Sequence, residues 1–406
     1  MRRLTSRIRD TAPTTSAPSE ARLREQLDEL CAFDRETATE GERHAAEWLA
    51  DRLRESGLEP RLEEERIHST FWWPLGITSA AGAAAGIAGR RGHRWLGAGL
   101  GAVAAAAAAD DMPGDGRRTL RSLLPPRTAT QLVVELGPAD AERTVVVMAH
   151  HDAAHRGLIF HPAIPQIADR AGFIERNDTS PPLIAIGVAA PLLAALGALI
   201  GSRALAGAGA TVSAGFGAAM ANIGMSRVVP GANDNGTGVL ALIALAEALA
   251  EHPTSSVRVM LVSTSEEATC EGMQVFARRH FAELPADRSF FLSVDTVGSP
   301  HLCVLRGEGM LRMREYPRES LALVDGLAAE LGIELFPNLR LRNATDGVIP
   351  LVAGYQCASL ASVTRLKQPA NYHWPSDVPE NVDYGSVADA IRLVEAVVRR
   401  LDEAWL

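Results

Sequence analysis

The chain has 406 residues, 47% of them hydrophobic and 22% charged, with a formal charge of −9. That length carries one large α/β domain with a real core, or two smaller ones. The acidic balance offers no basic stripe to release phosphate counterions, which excludes a nucleic-acid binder of the usual kind.

Residues 1–19 are polar, contain Pro13 and Pro18, and lack the apolar core of a secretion signal, so a short disordered tail is expected there. Residues 20–57 read as two helices. The second has Thr39 and Glu42 spaced as a capping box, apolar Ala45, Trp48, Leu49 and Leu53 at helical spacing, and Gly57 as a stop. Short valine-rich or apolar runs follow at 131–136, 144–149, 257–263, 290–295, 302–305 and 357–362. Helical patterns separate them at 238–252, 272–284, 321–331 and 384–401. Strands alternating with helices predict an α/β fold with a mixed, largely parallel central sheet covered on both faces. Catalytic groups then belong in loops at the carboxyl ends of the strands. The four cysteines (Cys31, Cys270, Cys303, Cys357) form no C-x-x-C pair and read as reduced, mostly buried thiols.

Two stretches break the alternation. Residues 71–109 and 183–225 are each a pair of uncharged, Ala/Gly-rich segments joined by a short polar turn, Arg90 to Arg94 in the first and Ser202-Arg203 in the second. Spanning a bilayer takes about 20 apolar residues, with a range of about 17–25. The segments 71–89, 183–201 and 204–225 meet the lower bound, and 95–109 falls slightly short. Tryptophans at 72, 73 and 95 stand at segment starts, where amphipathic rings favour the membrane interface, and the small residues allow close helix approach in lipid. Membrane hairpins are therefore expected, making this a multi-pass, plasma-membrane protein with lipid as a partner. A signal-free N-terminus favours a cytoplasmic catalytic domain, while Arg90, Arg91 and Arg94 in the first turn argue the other way. The cytoplasmic side is the expectation taken.

Five short motifs carry the chemistry. His150 follows the strand-like Val145-Val146-Val147, and Asp152, two positions on, can accept the other imidazole N–H. Gly231-Ala232-Asn233-Asp234-Asn235 precedes an apolar helix, so Asp234 sits near a helix N-terminus and can bridge cations. Glu266-Glu267 follows a strand, and adjacent carboxylates there repel unless a cation or proton intervenes. Asp295 closes a hydrophobic strand, an expensive place for an unpaired charge. His373 lies in Tyr372-His373-Trp374-Pro375-Ser376-Asp377. Taken singly, each has an ordinary structural explanation.

In that order, however, the set resembles the co-catalytic di-zinc aminopeptidases related to bacterial leucyl aminopeptidase and glutamate carboxypeptidase. The helices at 20–57 also look like that family's usual start, so the resemblance covers the chain outside the hairpins. It implies a zinc-exopeptidase fold, a single metallopeptidase domain over 20–406 interrupted by the hairpins, and two Zn²⁺ per chain. By the same resemblance His150 and Asp295 would hold one zinc, Glu267 and His373 the other, and Asp234 would bridge them. Glu266 would be general base and acid, and Asp152 the residue that orients His150. Two such ions can acidify a water and polarise the scissile carbonyl of a peptide. Imidazole and carboxylate ligands suit Zn²⁺.

Two departures matter. Thr345-Asp346-Gly347 stands where relatives often carry Ser-Asp-His, and the second hairpin interrupts the path from Asp152 to Asp234. With both ends of that insertion in active-site loops, the cleft is expected to face the membrane and to take a hydrophobic or membrane-proximal peptide. Release of a C-terminal residue or dipeptide cleavage stays open beside aminopeptidase action, with Arg365 near the C-terminal loop. A catalytically silent membrane module and a one-zinc, glutaminyl-cyclase-like acyltransferase are the alternative expectations.

Overall fold

A computed structural model describes residues 17–114, 116–265 and 269–406. The chain opens with helices α1 (Glu20–Cys31) and α2 (Glu40–Glu55), then strand β1 (Arg61–Ile67). Helices α3 (Trp72–Arg90) and α4 (Arg94–Asp110) lead to β2 (Arg127–Leu136) and β3 (Arg143–His150). Short helices α5 (Ala163–Arg170) and α6 (Phe173–Arg176) precede α7 (Ile186–Leu199) and α8 (Arg203–Gly224). After α9 (Thr237–Glu251) come β4 (Val257–Thr264), α10 (Glu271–His280), β5 (Ser289–Val294) and β6 (His301–Val304). The rest is β7 (Gly307–Glu308), β8 (Arg314–Glu315), α11 (Arg318–Leu331), β9 (Arg340–Leu341), α12 (Val348–Ala353), β10 (Gln356–Val363) and α13 (Tyr384–Glu403).

Seven strands form the main sheet in the order β1-β2-β4-β3-β5-β10-β6. Its centre is parallel, β4 with β3, β3 with β5 and β5 with β10, and its flanks are antiparallel. The unbroken apolar run of β3 is buried from Thr144 to His150, as a strand covered on both faces requires. Helix α9 is buried along nearly its whole length and packs with α2 and α13. Strand β1 (Arg-Leu-Glu-Glu-Glu-Arg-Ile) carries too much charge to be read as a strand. It forms as the sheet edge, its Glu63 and Glu65 both paired with Arg279.

The capping box expected at Thr39 and Glu42 does not form. Thr39 is the N-cap residue, but its hydroxyl donates to the Glu36 carbonyl, and Glu42 is buried against His151 Nε2 at 2.9 Å. Burial beside an imidazole and the Thr130 N–H outcompetes a local cap for that carboxylate. Of the expected N-terminal tail, residues 1–16 lie outside the described residues, and Ser19 caps α1. Cys270, Cys303 and Cys357 are buried, Cys31 is half-buried, and all four are free thiols.

The two hairpins pack together as a single four-helix bundle, α3 beside α8 and α4 beside α7. Helix α7 has 14 residues, shorter than the apolar stretch 183–201, since residues 184–185 form a turn before it and Gly201 follows it with a left-handed φ of 73°. Among the described residues one helix, Arg203–Gly224, is long and apolar enough to cross a membrane on its own. At its root the bundle holds a cluster of large side chains, with Phe71, Leu75, Met112, Phe216 and Met220 buried together and Met310, from the loop after β7, packed among them.

Candidate metal centre

The carboxyl ends of β3 and β5 and the turn before α9 converge. Strand β3 delivers His150, β5 runs straight into Asp295, and the turn Ala232–Gly236 presents Asp234. Ligand atoms of His150, Asp234 and Asp295 all lie within 4.8 Å of one another. His150 Nε2 is 3.4 Å from Asp234 Oδ1 and 4.0 Å from Asp295 Oδ1. His373 brings its own Nε2 to 3.1 Å from Asp234 Oδ2, so the two imidazoles flank opposite oxygens of one carboxylate. Glu266 and Glu267 lie outside the described residues. Their strand, β4, ends at Thr264 beside His150 in the register of the sheet.

The turn is held by its asparagines. Asn235 donates from Nδ2 to the Val294 carbonyl at 2.9 Å and accepts from the Thr296 N–H at 2.9 Å, which fixes Asp234 against the strand end carrying Asp295. Asn233 accepts from the Gly298 N–H at 2.8 Å. A glycine is needed at 238, since a Cβ there would stand 2.6 Å from the Val294 carbonyl oxygen. Asp377, six residues after the start of the Tyr372 loop's neighbour Asn371, accepts from the N–H groups of Asn233 and Asp234 at 2.8 and 3.1 Å.

Asp152 takes the position the sequence suggests. Its Oδ1 is 3.3 Å from His150 Nδ1, and its Oδ2 accepts from Thr37 at 2.5 Å. His373 has a left-handed φ of 49°, uncommon without glycine. Tyr372 stacks on its ring at 3.9 Å and Phe160 meets it edge-on at 4.5 Å.

Burial alone would raise the carboxyls of Asp234 and Asp152. The opposing hydrogen bonds and charges of His150 and His373 hold Asp234 below the usual range, and those of His150 hold Asp152 down. Burial pushes Asp377 up to about 7 despite its backbone N–H donors. A buried carboxylate (Asp234), a partly buried one (Asp295) and two imidazoles gathered around one point form a donor set suited to zinc. Their mutual repulsion is relieved when a cation is held between them.

Sequence reasoning missed three supporting groups. Arg35 is fully buried and donates to the carbonyls of His151 (2.7 Å), Pro230 (2.5 Å) and Gly231 (2.8 Å), tying the His150 loop to the Asp234 turn. Thr37 and Phe160 are the others, and no local pattern marks any of them. Asp346, in the departure from Ser-Asp-His, is buried and accepts from Thr264. Arg365 is exposed and pairs with Asp169 at 3.1 Å.

The cleft is a cavity of about 120 Å³ lined by His150, Asp234, Asp295 and His373 on one side. Phe71, the residue before α3, and Leu75 of α3, with Phe160 and Ile184, line the other, so it runs from the donor set to the root of the bundle.

Residues 215–398 match peptidase family M28. The span includes Asp234, Asp295 and His373, and the sheet brings His150 and Asp152 to them from outside it. No curated protein matches the chain significantly. Among solved structures, a glutaminyl cyclase from Tannerella forsythia is similar at 15% identity and TM-score 0.57, over 94% of this chain and 99% of that one. A leucine aminopeptidase precursor from Bacteroides thetaiotaomicron is similar at 13% and 0.56, over 94% and 97%. BSAP, a zinc aminopeptidase from Bacillus subtilis, gives 14% and 0.55, over 95% and 96%. At such identities the likeness is one of fold, a zinc-exopeptidase α/β fold. The M28 match agrees with the resemblance carried by the five motifs.

Proposed function

We propose that this M28 chain is a zinc-dependent metallopeptidase, an aminopeptidase acting through two zinc ions. The convergence of His150, Asp234, Asp295 and His373 carries the reading. In it His150 and Asp295 would hold one ion, Glu267 and His373 the other, and Asp234 would be shared between them. When bound, the ions would supply Lewis acidity to a water and to the substrate carbonyl. Glu266 would take the proton from the attacking water and pass it to the leaving amine. Asp152 would fix the His150 tautomer that leaves Nε2 facing the donor set. The peptidase would form one domain interrupted by the bundle helices, associated with membrane lipid. Its apolar cleft wall favours a hydrophobic or membrane-proximal peptide.

The test is metal analysis with a peptide-library digest of the purified chain and of Glu266→Gln. Two zinc per chain, chelator-sensitive release of N-terminal residues, and lost turnover with metal retained in Glu266→Gln support the reading. The glutaminyl-cyclase likeness of fold favours a second reading, a one-zinc acyltransferase. One zinc per chain with cyclisation of N-terminal glutamine would select it, and zinc-free protein without turnover would select a silent module.

A further inference from the structure

We propose that the four-helix bundle crosses the lipid bilayer as one unit, its arginine-bearing tip at the cytoplasmic face and the metal cleft at the opposite membrane surface. This goes beyond the peptidase reading and rests on the bundle's own packing.

The bundle is inside-out for a water-soluble one. A soluble four-helix bundle places its leucines and isoleucines inward. Beyond the large side chains at the root, the interior is made mostly of small residues: Ala85, Ala104, Ala194, Ala198 and Ala206 are all at most 3% exposed, and Ser79 and Ser213 are buried beside them. The backbones approach closely enough that a Cβ at Gly97 would lie 2.7 Å from the Ala85 carbonyl oxygen and 2.8 Å from Ala198 Cβ. The large apolar side chains point outward instead, with Val103 67%, Leu96 62% and Ile200 65% exposed. Small residues at the helix contacts and bulky ones outside is the arrangement that packs in hydrocarbon. In water it would expose a continuous apolar girdle.

Charge and length agree with a bilayer as the occupant. No Asp, Glu, Lys or Arg occurs in 72–89, 95–109, 186–202 or 204–224. At about 1.5 Å per residue, the longer helices of 17 to 22 residues measure about 25–33 Å, close to the roughly 30 Å of a hydrocarbon core. Exposed tryptophans stand near both ends, Trp73 (57%) at the root and Trp95 (73%) at the tip, where interfacial rings belong. Helix α7, 14 residues and about 21 Å long, does not span the hydrocarbon core by itself; it packs against α4 and α8 and turns Leu192, Leu196 and Leu199 outward.

The side follows from the tip. Gly89 packs on Ala198 and Ala206, and Arg90 lies against Gly207, so both hairpin turns meet at one end. The fold thereby adds Arg203 to Arg90, Arg91 and Arg94, with no acidic residue in either turn. Four arginines are too costly to stop within the hydrocarbon, so the tip emerges into water on the far side. Arginine-rich short turns are retained in the cytoplasm, whereas long domains translocate largely regardless of charge. That reverses the side expected from sequence alone. The cleft, lined by Phe71 and Leu75 of the bundle root, then opens at the outer membrane surface.

The experiment expresses the full chain carrying either His93→Cys at the tip or Asp140→Cys on an exposed turn of the catalytic body, with the parent chain as the background control. Intact cells stripped of any outer envelope are treated with a membrane-impermeant maleimide, then repeated after permeabilisation. Labelling of Asp140→Cys in intact cells, and of His93→Cys only after permeabilisation, is expected. The opposite pattern overturns the assigned side. Labelling of both in intact cells, or release of the parent chain by alkaline carbonate, overturns the spanning bundle. Labelling does not depend on zinc or turnover, so failure of the peptidase reading would leave these outcomes untouched.

Discussion

Asp377 accepts the backbone N–H of Asp234 at 3.1 Å, so the carboxylate at the centre of the donor set is oriented by a second, buried carboxylate. The same Asp377 also takes the Asn233 N–H at 2.8 Å. Replacing it by Ala frees two N–H groups and lets the turn relax. Outer partners of this type typically contribute about 10–100-fold in metal affinity. Asp377→Ala is therefore expected to weaken zinc binding by roughly that factor while the far-ultraviolet circular dichroism stays native. Chelator-competition titration measures it, and unchanged zinc affinity would contradict the positioning role.

His150 depends on a relay, Thr37 to Asp152 to the imidazole Nδ1. Asp152→Asn keeps the shape but can present an amide N–H to Nδ1, favouring the wrong tautomer. A loss of zinc affinity of about 10-fold or more is expected. Thr37→Val removes one donor only, and should cost less than Asp152→Asn in the same titration. An equal or larger loss for Thr37→Val would mean that the hydroxyl acts on the helix junction instead of on His150.

Away from the donor set, burial raises the Glu308 carboxyl from 4.5 to about 7, against the lowering effect of Tyr316 and Thr345. The folded chain then holds a proton between pH 4.5 and 7 that the unfolded chain releases. Its contribution is most favourable below the unfolded pKa and is lost as pH rises through about 7. Glu308→Gln keeps a neutral group of the same shape, so its stability should fall less than the parent's between pH 5 and about 7.5. Chemical denaturation at several pH values reads the difference, and parallel curves would show that Glu308 is already ionised.

The parts of this molecule that were legible in sequence share a physical reason. Strands β3, β4 and β5 are buried on both faces, so their apolar runs are continuous and end where His150 and Asp295 must emerge. Those same residues then reappear together because parallel strands bring their carboxyl ends to one edge. What was illegible depends on partners distant in the chain. Arg35 looks like any surface arginine until it reaches carbonyls 116 and 195 residues away. Glu42 reads as a cap residue, yet its imidazole partner His151 comes from the loop just after β3. Strand β1 forms because the edge of β2 and the cation Arg279 accommodate its glutamates. The hairpins were visible by composition, but no local pattern says that two pairs separated by more than 70 residues share one bundle and one charged tip.

That bundle can be probed through two glycines two positions apart on α4. A Cβ at Gly97 would press on Ala85 and Ala198 at 2.7–2.8 Å, on two neighbouring helices, whereas one at Gly99 meets nothing within 4 Å. Gly97→Leu must separate α4 from α3 and α7, and overpacking of this kind costs about 1–3 kcal/mol. Gly99→Leu places the same side chain on the outward girdle, and leucine favours helix over glycine by several tenths of a kcal/mol up to about 1. In detergent or lipid nanodiscs, Gly97→Leu should therefore unfold at lower temperature than the parent, and Gly99→Leu at the same or higher temperature. If both variants melt alike, the close small-residue packing that distinguishes the interior of the bundle from its surface does not hold the helices together.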